Sequence, residues 1–401
     1  MLTEHMNMLV VSVFGNVNSD TNHRINSLHD YLSFDLKVVT TDFSHGEKHY
    51  RSKDSKRNID YLHVSSYKKN LSVARIFSHW TFAIRLFFYL LKNGKGYHVI
   101  YCITPTPSSA FVCSVYKWFS RHKFLIIDVI DIWPEGLIPL GKKYKWLSPF
   151  LLPWRWLSII AYKSANAIFA ATSSYQLQAS RHNSKVFSAF YPLGIDPQKI
   201  QLIRNRSILK LVKAPNEIWI AYAGNLGASY DFGAMINAVV YARDQVSEFI
   251  LKFVLIGGGN RKNELETRLL ESGLDYLITG NVEYMDYLNY LNLCDIGFNI
   301  YSENTEVIQS YKFNDYVVSG TYIINNLKGE TAELIDSYNI GENLTGQNNQ
   351  LGVVLVSILN KWNLIKMDQD KKCSALINNV LSKQIIYHQL EKDILKVIDI
   401  S

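Results

Sequence analysis

Three side chains that suit a phosphorylated ligand stand close together at residues 309–335, QSYKFNDYVVSGTYIINNLKGETAELI. Ser310, Lys312 and Asp315 fall on the first turns of a predicted helix. An ammonium serves a phosphate as a point charge, and a carboxylate, which accepts two hydrogen bonds, suits a diol such as ribose. The serine can cap the helix or donate to a phosphate. A β-branched strand at 321–324 follows Gly320, and after the turn Gly329-Glu330 a second helix opens near Thr331. A cation, a carboxylate and two helix N-termini thus meet at the ends of neighbouring strands, where α/β sheets bind phosphorylated ligands. The plain alternative for Lys312 and Asp315 is an i,i+3 ion pair on one helical face.

Other loops carry weaker signals of the same chemistry. Residues 218–222 form a strand opening on Gly224-Asn225-Leu226-Gly227. The strongly apolar strand 249–256 meets Gly257-Gly258-Gly259-Asn260, where the glycines let a backbone approach a ligand closely. Arg261 and Lys262 follow in the first turn of a helix, against its positive dipole end. A nearby diphosphate would offset that cost; otherwise they are solvated charges. In the first half, strand 9–14 runs into Gly15-Asn16 and a helix bearing Arg24, with Ile25, Leu28 and Leu32 facing a core. That is a phosphate-binding layout or a tight βα turn. The GxGxxG spacing is absent after both Gly15 and Gly257, so the dinucleotide fingerprint fails in each half. A further strand, 123–129, ends in DVIDIWPE, which gathers Asp128, Asp131 and Glu135 where ionised groups are often functional.

The elements needed to position these residues alternate along the whole chain. Predicted strands at 36–39, 60–64, 97–103, 167–171, 186–191, 276–279 and 296–300 join those above, with helices at 74–91, 232–242, 261–270 and 284–293 and a helical tail from 351. Alternation of strand and helix in both halves predicts two doubly wound parallel sheets. Residues 199–216, basic and without an apolar period, read as the linker, because the pattern restarts at Ile218. The boundaries that follow are 1–195, 196–375, and a last helix at 376–401 expected to pack back toward the first domain.

With 401 residues, 48% of them hydrophobic, the chain can build large cores. A net charge of +7 suits an anionic ligand or membrane surface and does not single out nucleic acid. Cys102, Cys113, Cys294 and Cys373 lack CxxC spacing and read as buried thiols in a reducing compartment, not as a zinc site. The apolar stretch 8–14 reads as a strand, not a signal peptide, and no run reaches the ~20 apolar residues of a spanning helix. Residues 142–163 concentrate three tryptophans, two prolines and five cations among aliphatic residues. They are expected to lie on an anionic membrane surface, the alternative being a packing helix whose cations snorkel.

Taken in order, AGNLG, LIGGGN, ITGNV, CDIGFNI, SYKFNDYVVSG and GETAELI resemble the nucleotide-binding half of retaining glycosyltransferases of family 4. DVIDIWPEGL is similar to a segment of the bacterial subgroup that makes cell-surface polysaccharides, and SANAIFAATSS and YPLGID resemble that family's later first-domain strand and crossover. The resemblance implies a GT-B fold, two Rossmann-like domains facing a cleft, and a sugar nucleotide (UDP-, GDP- or dTDP-linked) held mainly by the second. It places the base near Gly257, Gly258, Gly259, Asn281 and Val282, and the ribose on Asp315. The diphosphate falls against Ser310, Lys312 and the loop of Gly224, Asn225 and Gly227, with Arg261 as a further contact. Tyr311, Gly329 and Glu330, in the same matched stretches, join the substrate-binding set. Lys312 and Asp131 are the catalytic candidates, Asp131 toward the donor sugar or acceptor hydroxyl. Gly15, Asn16 and Arg24 form the first-domain side, with Arg24 orienting phosphate or acceptor. No metal or other cofactor is expected. The implied acceptor is a lipid-linked saccharide in capsule, exopolysaccharide or O-antigen synthesis, on the cytoplasmic face of the plasma membrane.

The sequence also departs from the family pattern. Asn225 and Tyr230 stand where the family often has an Arg and a Lys, Val307 where it has the first of two glutamates, and Ile130 where it has an Arg. A non-catalytic GT-B protein that binds nucleotide sugars or glycans is the alternative, with a sugar-nucleotide epimerase behind it.

Overall fold

The computed structural model describes residues 6–14, 23–45, 48–51, 58–69, 72–132, 152–196, 211–303, 310–346 and 348–400. The chain divides into two compact units, Met1–Leu193 with Lys383–Ser401, and Gly194–Ser382.

Unit 1 contains β1 (Asn7–Ser12), α1 (His23–Tyr31), β2 (Asp35–Thr41), β3 (Ile59–Leu62), α2 (Val73–Asn93), β4 (Val99–Thr104) and α3 (Pro107–Phe119). It continues through β5 (Phe124–Val129), α4 (Leu152–Ser164), β6 (Ala167–Ala170), α5 (Ser173–Ser180) and β7 (Phe187–Phe190). The strands pair in parallel in the order β3-β2-β1-β4-β5-β6-β7. Nearly every residue of β1, β4 and β5 is buried, as a parallel sheet covered on both faces requires. The period of two sends Leu9, Val11, Ile100, Cys102 and Ile127 into a core with Phe82, Leu86 and Leu90 of α2. Met8, Val10, Tyr101 and Ile126 face the opposite core with Ile25 and Leu28 of α1. Ser72 caps α2 by accepting the Arg75 amide at 3.3 Å, and Pro107 opens α3 at the position where a missing amide hydrogen costs nothing.

Unit 2 repeats the plan. It comprises β8 (Glu217–Ala223), α6 (Phe232–Gln245), β9 (Ile250–Ile256), α7 (Lys262–Ser272), β10 (Asp275–Gly280), α8 (Tyr284–Asn292) and β11 (Ile296–Asn299). Then come α9 (Tyr311–Val318), β12 (Tyr322–Asn325), α10 (Glu330–Tyr338), β13 (Gly341–Asn343), α11 (Leu351–Leu359), α12 (Trp362–Lys366) and α13 (Gln369–Leu376). These strands are also all parallel, in the order β10-β9-β8-β11-β12-β13. The three-residue edge strand β13 was not anticipated, because Gly-Glu-Asn has no apolar run. Helix α14 (Lys383–Ile400) belongs to unit 1, where Tyr387, Leu390 and Ile394 join the core of Met8 and Leu28 and Glu391 accepts the Ser33 amide at 2.7 Å. All four cysteines are buried thiols. No described helix is long and apolar enough to cross a membrane.

Strand order reverses between β1 and β4 in unit 1 and between β8 and β11 in unit 2. At such a reversal the loops from neighbouring strands diverge and leave a crevice beyond the strand ends.

Candidate functional site

The reversal in unit 2 brings the Gly224 loop, after β8, beside the start of α9, after β11. Phe313, Tyr316 and Val317 anchor α9 in the core, and the Tyr316 hydroxyl is locked between the Ala223 amide (3.1 Å) and the Phe298 carbonyl (3.0 Å). Lys312 is thereby carried inward to 7% exposure. Its ammonium lies 3.6 Å from the ring centre of Tyr230, 4.2 Å from Tyr222 and 5.3 Å from Tyr301. Among the described residues Nζ has no hydrogen-bond partner. Burial pushes its pKa well below the usual lysine range, and the charge of Asp315 only partly opposes this. The aromatic faces recover part of the lost hydration, each contact contributing roughly 0.5–2 kcal/mol. Gly224, at φ 125°, lies alongside the amine: a Cβ there would sit 3.7 Å from Lys312 Cε.

Lys312 and Asp315 do not form the simple ion pair. Asp315 instead accepts from the hydroxyls of Tyr284 (2.9 Å) and Tyr287 (3.0 Å) on α8. Burial drives its pKa up to about 6, against the opposing phenols and Lys312. Ser310 precedes α9 without capping it; its hydroxyl donates to Asn299 Oδ1 at 2.7 Å. Asn299 Nδ2 in turn donates to Asn325 Oδ1 at 2.7 Å, and Asn325 Nδ2 to Asn343 Oδ1 at 2.8 Å. These asparagines end β11, β12 and β13 in matched register, so a buried amide ladder sets the height of the Ser310 turn. The sequence carried no usable signal for it, because Asn299 and Asn325 do not end the predicted strands and Gly341–Asn343 has no apolar run. The tyrosine cage left none either, since Tyr222 and Tyr230 come from a part of the chain far from Tyr301 and Lys312.

The second-half glycines have a packing role in the structure. A Cβ on Gly257 would lie 2.2 Å from the Gly224 carbonyl, one on Gly258 2.4 Å from Asn281 Oδ1, and one on Gly259 2.5 Å from the Leu226 carbonyl. The chain's own neighbouring loops fill that space. The run lets three loops nest at the strand ends, with Leu226 N donating to Gly258 O and Gly224 N to Ile256 O. Asn225 packs against Gly227 and Gly259, and Val282 is half-buried beside the α8 core. Arg261 binds Glu264 through Nη2 at 2.7 Å, which answers the unfavourable dipole position. Gly329, at φ 78° with open space where its Cβ would be, precedes Glu330 at the start of α10, and Tyr311 is half-exposed on α9.

In unit 1 the expected residues separate. Gly15, Asn16, Glu135 and residues 142–151 lie outside the described residues, as does Val307 of unit 2. Asp131 is exposed just beyond β5, beside Thr104, Pro105, Ser158 and Tyr162. Arg24 takes a place in the core instead of at a phosphate or acceptor. It is 1% exposed, 2.9 Å from the fully buried Asp128, and donates to the Tyr191 carbonyl at 2.7 Å and to the Tyr387 hydroxyl. Tyr101 donates to the same Asp128 carboxylate at 2.8 Å. Asp128 is therefore the arginine's counter-ion and not part of an open acidic cluster.

Two doubly wound parallel sheets of this topology define the GT-B fold. No protein-family model and no curated protein sequence matches the chain. Solved structures do. Anabaena Alr3699/HepE in complex with UDP shares 12% identity at a TM-score of 0.66, over 98% of this chain and 100% of that one. Sucrose-phosphate synthase from Thermosynechococcus elongatus gives 15% and 0.65, over 99% and 100%. WaaG, a glycosyltransferase involved in lipopolysaccharide biosynthesis, gives 12% and 0.61, over 96% and 98%. Likeness at this identity establishes the fold.

Proposed function

We propose that this protein is a retaining glycosyltransferase of the hexosyltransferase type. It moves a sugar from a nucleotide-sugar donor to a lipid-linked saccharide in bacterial capsule, exopolysaccharide or O-antigen synthesis. The observation that carries the reading is the caged Lys312 amine at the β8/β11 reversal. Desolvating a cation costs several kcal/mol, and a dianionic diphosphate is the ligand that recovers it best. HepE, of the same fold, has been solved with UDP and with UDP-glucose, which favours a nucleoside diphosphate sugar here.

In this reading the diphosphate lies between Lys312, Ser310 and the Gly224 loop, and Asp315 accepts the ribose hydroxyls. As the glycosidic bond breaks, negative charge grows on the leaving diphosphate, and Lys312, preorganised and water-poor, stabilises it without a metal. The acceptor hydroxyl attacks from the same face, its proton passing to the leaving phosphate oxygen. Asp131 orients the donor sugar or that hydroxyl. Incubation with UDP-, GDP- and dTDP-sugars tests the reading. Release of free nucleotide is expected. A changed sugar would mean an epimerase, and an unaltered donor that still binds would mean a non-catalytic binder.

An anionic membrane face accompanies this proposal. Helices α2, α3 and α4 leave Phe77, Ile84, Phe88, Trp118, Phe119 and Trp156 exposed, and α2 contains no carboxylate. Such a surface fits the interfacial region of a bilayer. Flotation with anionic liposomes is expected to carry the protein, and replacing Trp154 and Trp156 to weaken it; unchanged flotation would refute the role of α4.

A further inference from the structure

The β1/β4 reversal in unit 1 holds a group of basic side chains that the reading above leaves unused. Phe14, just beyond β1, packs its ring 4.9 Å from His45 and 5.7 Å from His79, and the Arg75 guanidinium lies 5.6 Å from its centre. His45, beyond β2, shares a 2.6 Å hydrogen bond between Nδ1 and the Tyr67 hydroxyl. Lys48 stands over the Tyr67 ring at 4.8 Å. Arg75 and His79 come from successive turns of α2, and Asp131, beyond β5, contributes the carboxylate whose charge supports Arg75. Strand ends and one helix thus converge on a cationic, aromatic site.

Two further observations bear on its use. Lys48 sits in the left-handed region at φ 60°, which a lysine rarely adopts. The turn is held by Lys48 N to Ser44 O (2.9 Å) and Ser44 N to His49 O (2.8 Å), and such strain collects at ligand sites. The basic groups also repel one another. Burial and then the Arg75 charge hold His45 at about 4 and His79 at about 3, and the same two causes lower Lys48. An anion placed among them would relieve that repulsion.

We propose that Arg75, Lys48 and His45 bind a phosphate or diphosphate carried by the acceptor. The assignment to an acceptor rests on the transferase reading; the phosphate site itself does not. It also supplies the unit 1 phosphate cation that Arg24, committed to Asp128, cannot provide.

The test is nuclear magnetic resonance of the histidine rings, assigned with His45→Gln and His79→Gln. Inorganic pyrophosphate, a hexose 1-phosphate and a short-chain prenyl diphosphate in detergent are titrated separately into the full chain at neutral pH. Saturable shifts of both rings are expected with at least one probe. The probe acting at the lowest concentration tells a soluble sugar phosphate from a lipid diphosphate. Arg75→Gln is expected to raise the required concentration at least about tenfold, the scale of a lost charged hydrogen bond. Lys48→Gln carries the same test if the arginine variant fails to fold, and Lys312→Ala is expected to keep the shifts. Absence of ring shifts with all three probes, or unchanged titrations in both cation variants, overturns the site. Neither result depends on turnover, so failure of the transferase reading shows separately, in the sugar-nucleotide panel.

Discussion

Each unit buries a cation near its strand reversal, and the two are treated in opposite ways. Arg24 in unit 1 is paired with Asp128 and bonded to Tyr191 and Tyr387, and the ion pair holds its pKa above the ordinary arginine range. Lys312 in unit 2 is wrapped in three tyrosine rings, has no hydrogen-bond partner among the described residues, and has its pKa pushed down. Burial disfavours both charges; the difference lies in who compensates. The protein answers the first charge itself, whereas it meets the second only with aromatic faces, and the proposed diphosphate would complete that compensation. A buried cation close to a ligand site is therefore weak evidence of function until its partners are known.

The largest effect is expected where that compensation is internal. Arg24→Met leaves Asp128 buried without a counter-ion and should lower unfolding stability by about 3–5 kcal/mol, read from urea denaturation. The double variant Arg24→Met/Asp128→Asn should recover part of the loss. A cost below about 1 kcal/mol for Arg24→Met would abolish the contrast between the two cations.

The next effect falls on activity. Lys312→Ala should cut turnover about 10²-fold or more, the scale of losing one preorganised electrostatic stabiliser, while the urea midpoint moves little. Turnover close to wild type would remove Lys312 from the site, and a fall in stability as large as that for Arg24→Met would make it a second structural cation.

How much of this contrast was legible in the sequence follows from how local each feature is. The strands could be read because parallel strands covered on both faces are continuous apolar runs, as in 249–256 and 123–129; the edge strand Gly341–Asn343, with no such run, could not. Lys312, Ser310 and Asp315 were found together because one helix start carries all three. Their partners come from elsewhere in the chain: Tyr222 and Tyr230 near β8, Tyr284 and Tyr287 from α8, and Asn325 and Asn343 from two other strands. Arg24 and Asp128 looked like two functional residues for the same reason, since only the fold shows that they neutralise each other. The glycine run at 257–259 was visible as a need for space, but the sequence could not say that the chain itself fills it.

The smallest effect concerns the two buried carboxylates and sharpens the comparison through pH. Asp128 answers a guanidinium, whereas Asp315 is held by two phenols and titrates at about 6. Because its folded-state pKa lies above the unfolded value, the folded chain binds the extra proton between roughly pH 4 and 6. Its contribution to stability is thus present at the acid end and lost as pH rises through about 6. A ribose contact needs the opposite state, since only the ionised carboxylate accepts from both hydroxyls of a diol. Donor KM should therefore rise as pH falls through about 6, by about tenfold at pH 5, while this group's own effect on stability runs the other way. Asp315→Asn should flatten that part of the KM profile. If donor KM is flat from pH 7 to 5 in the wild type, or rises with acid equally in both proteins, Asp315 serves only to fix α9 against α8. It would then belong with Asp128 among the carboxylates whose partners are all internal.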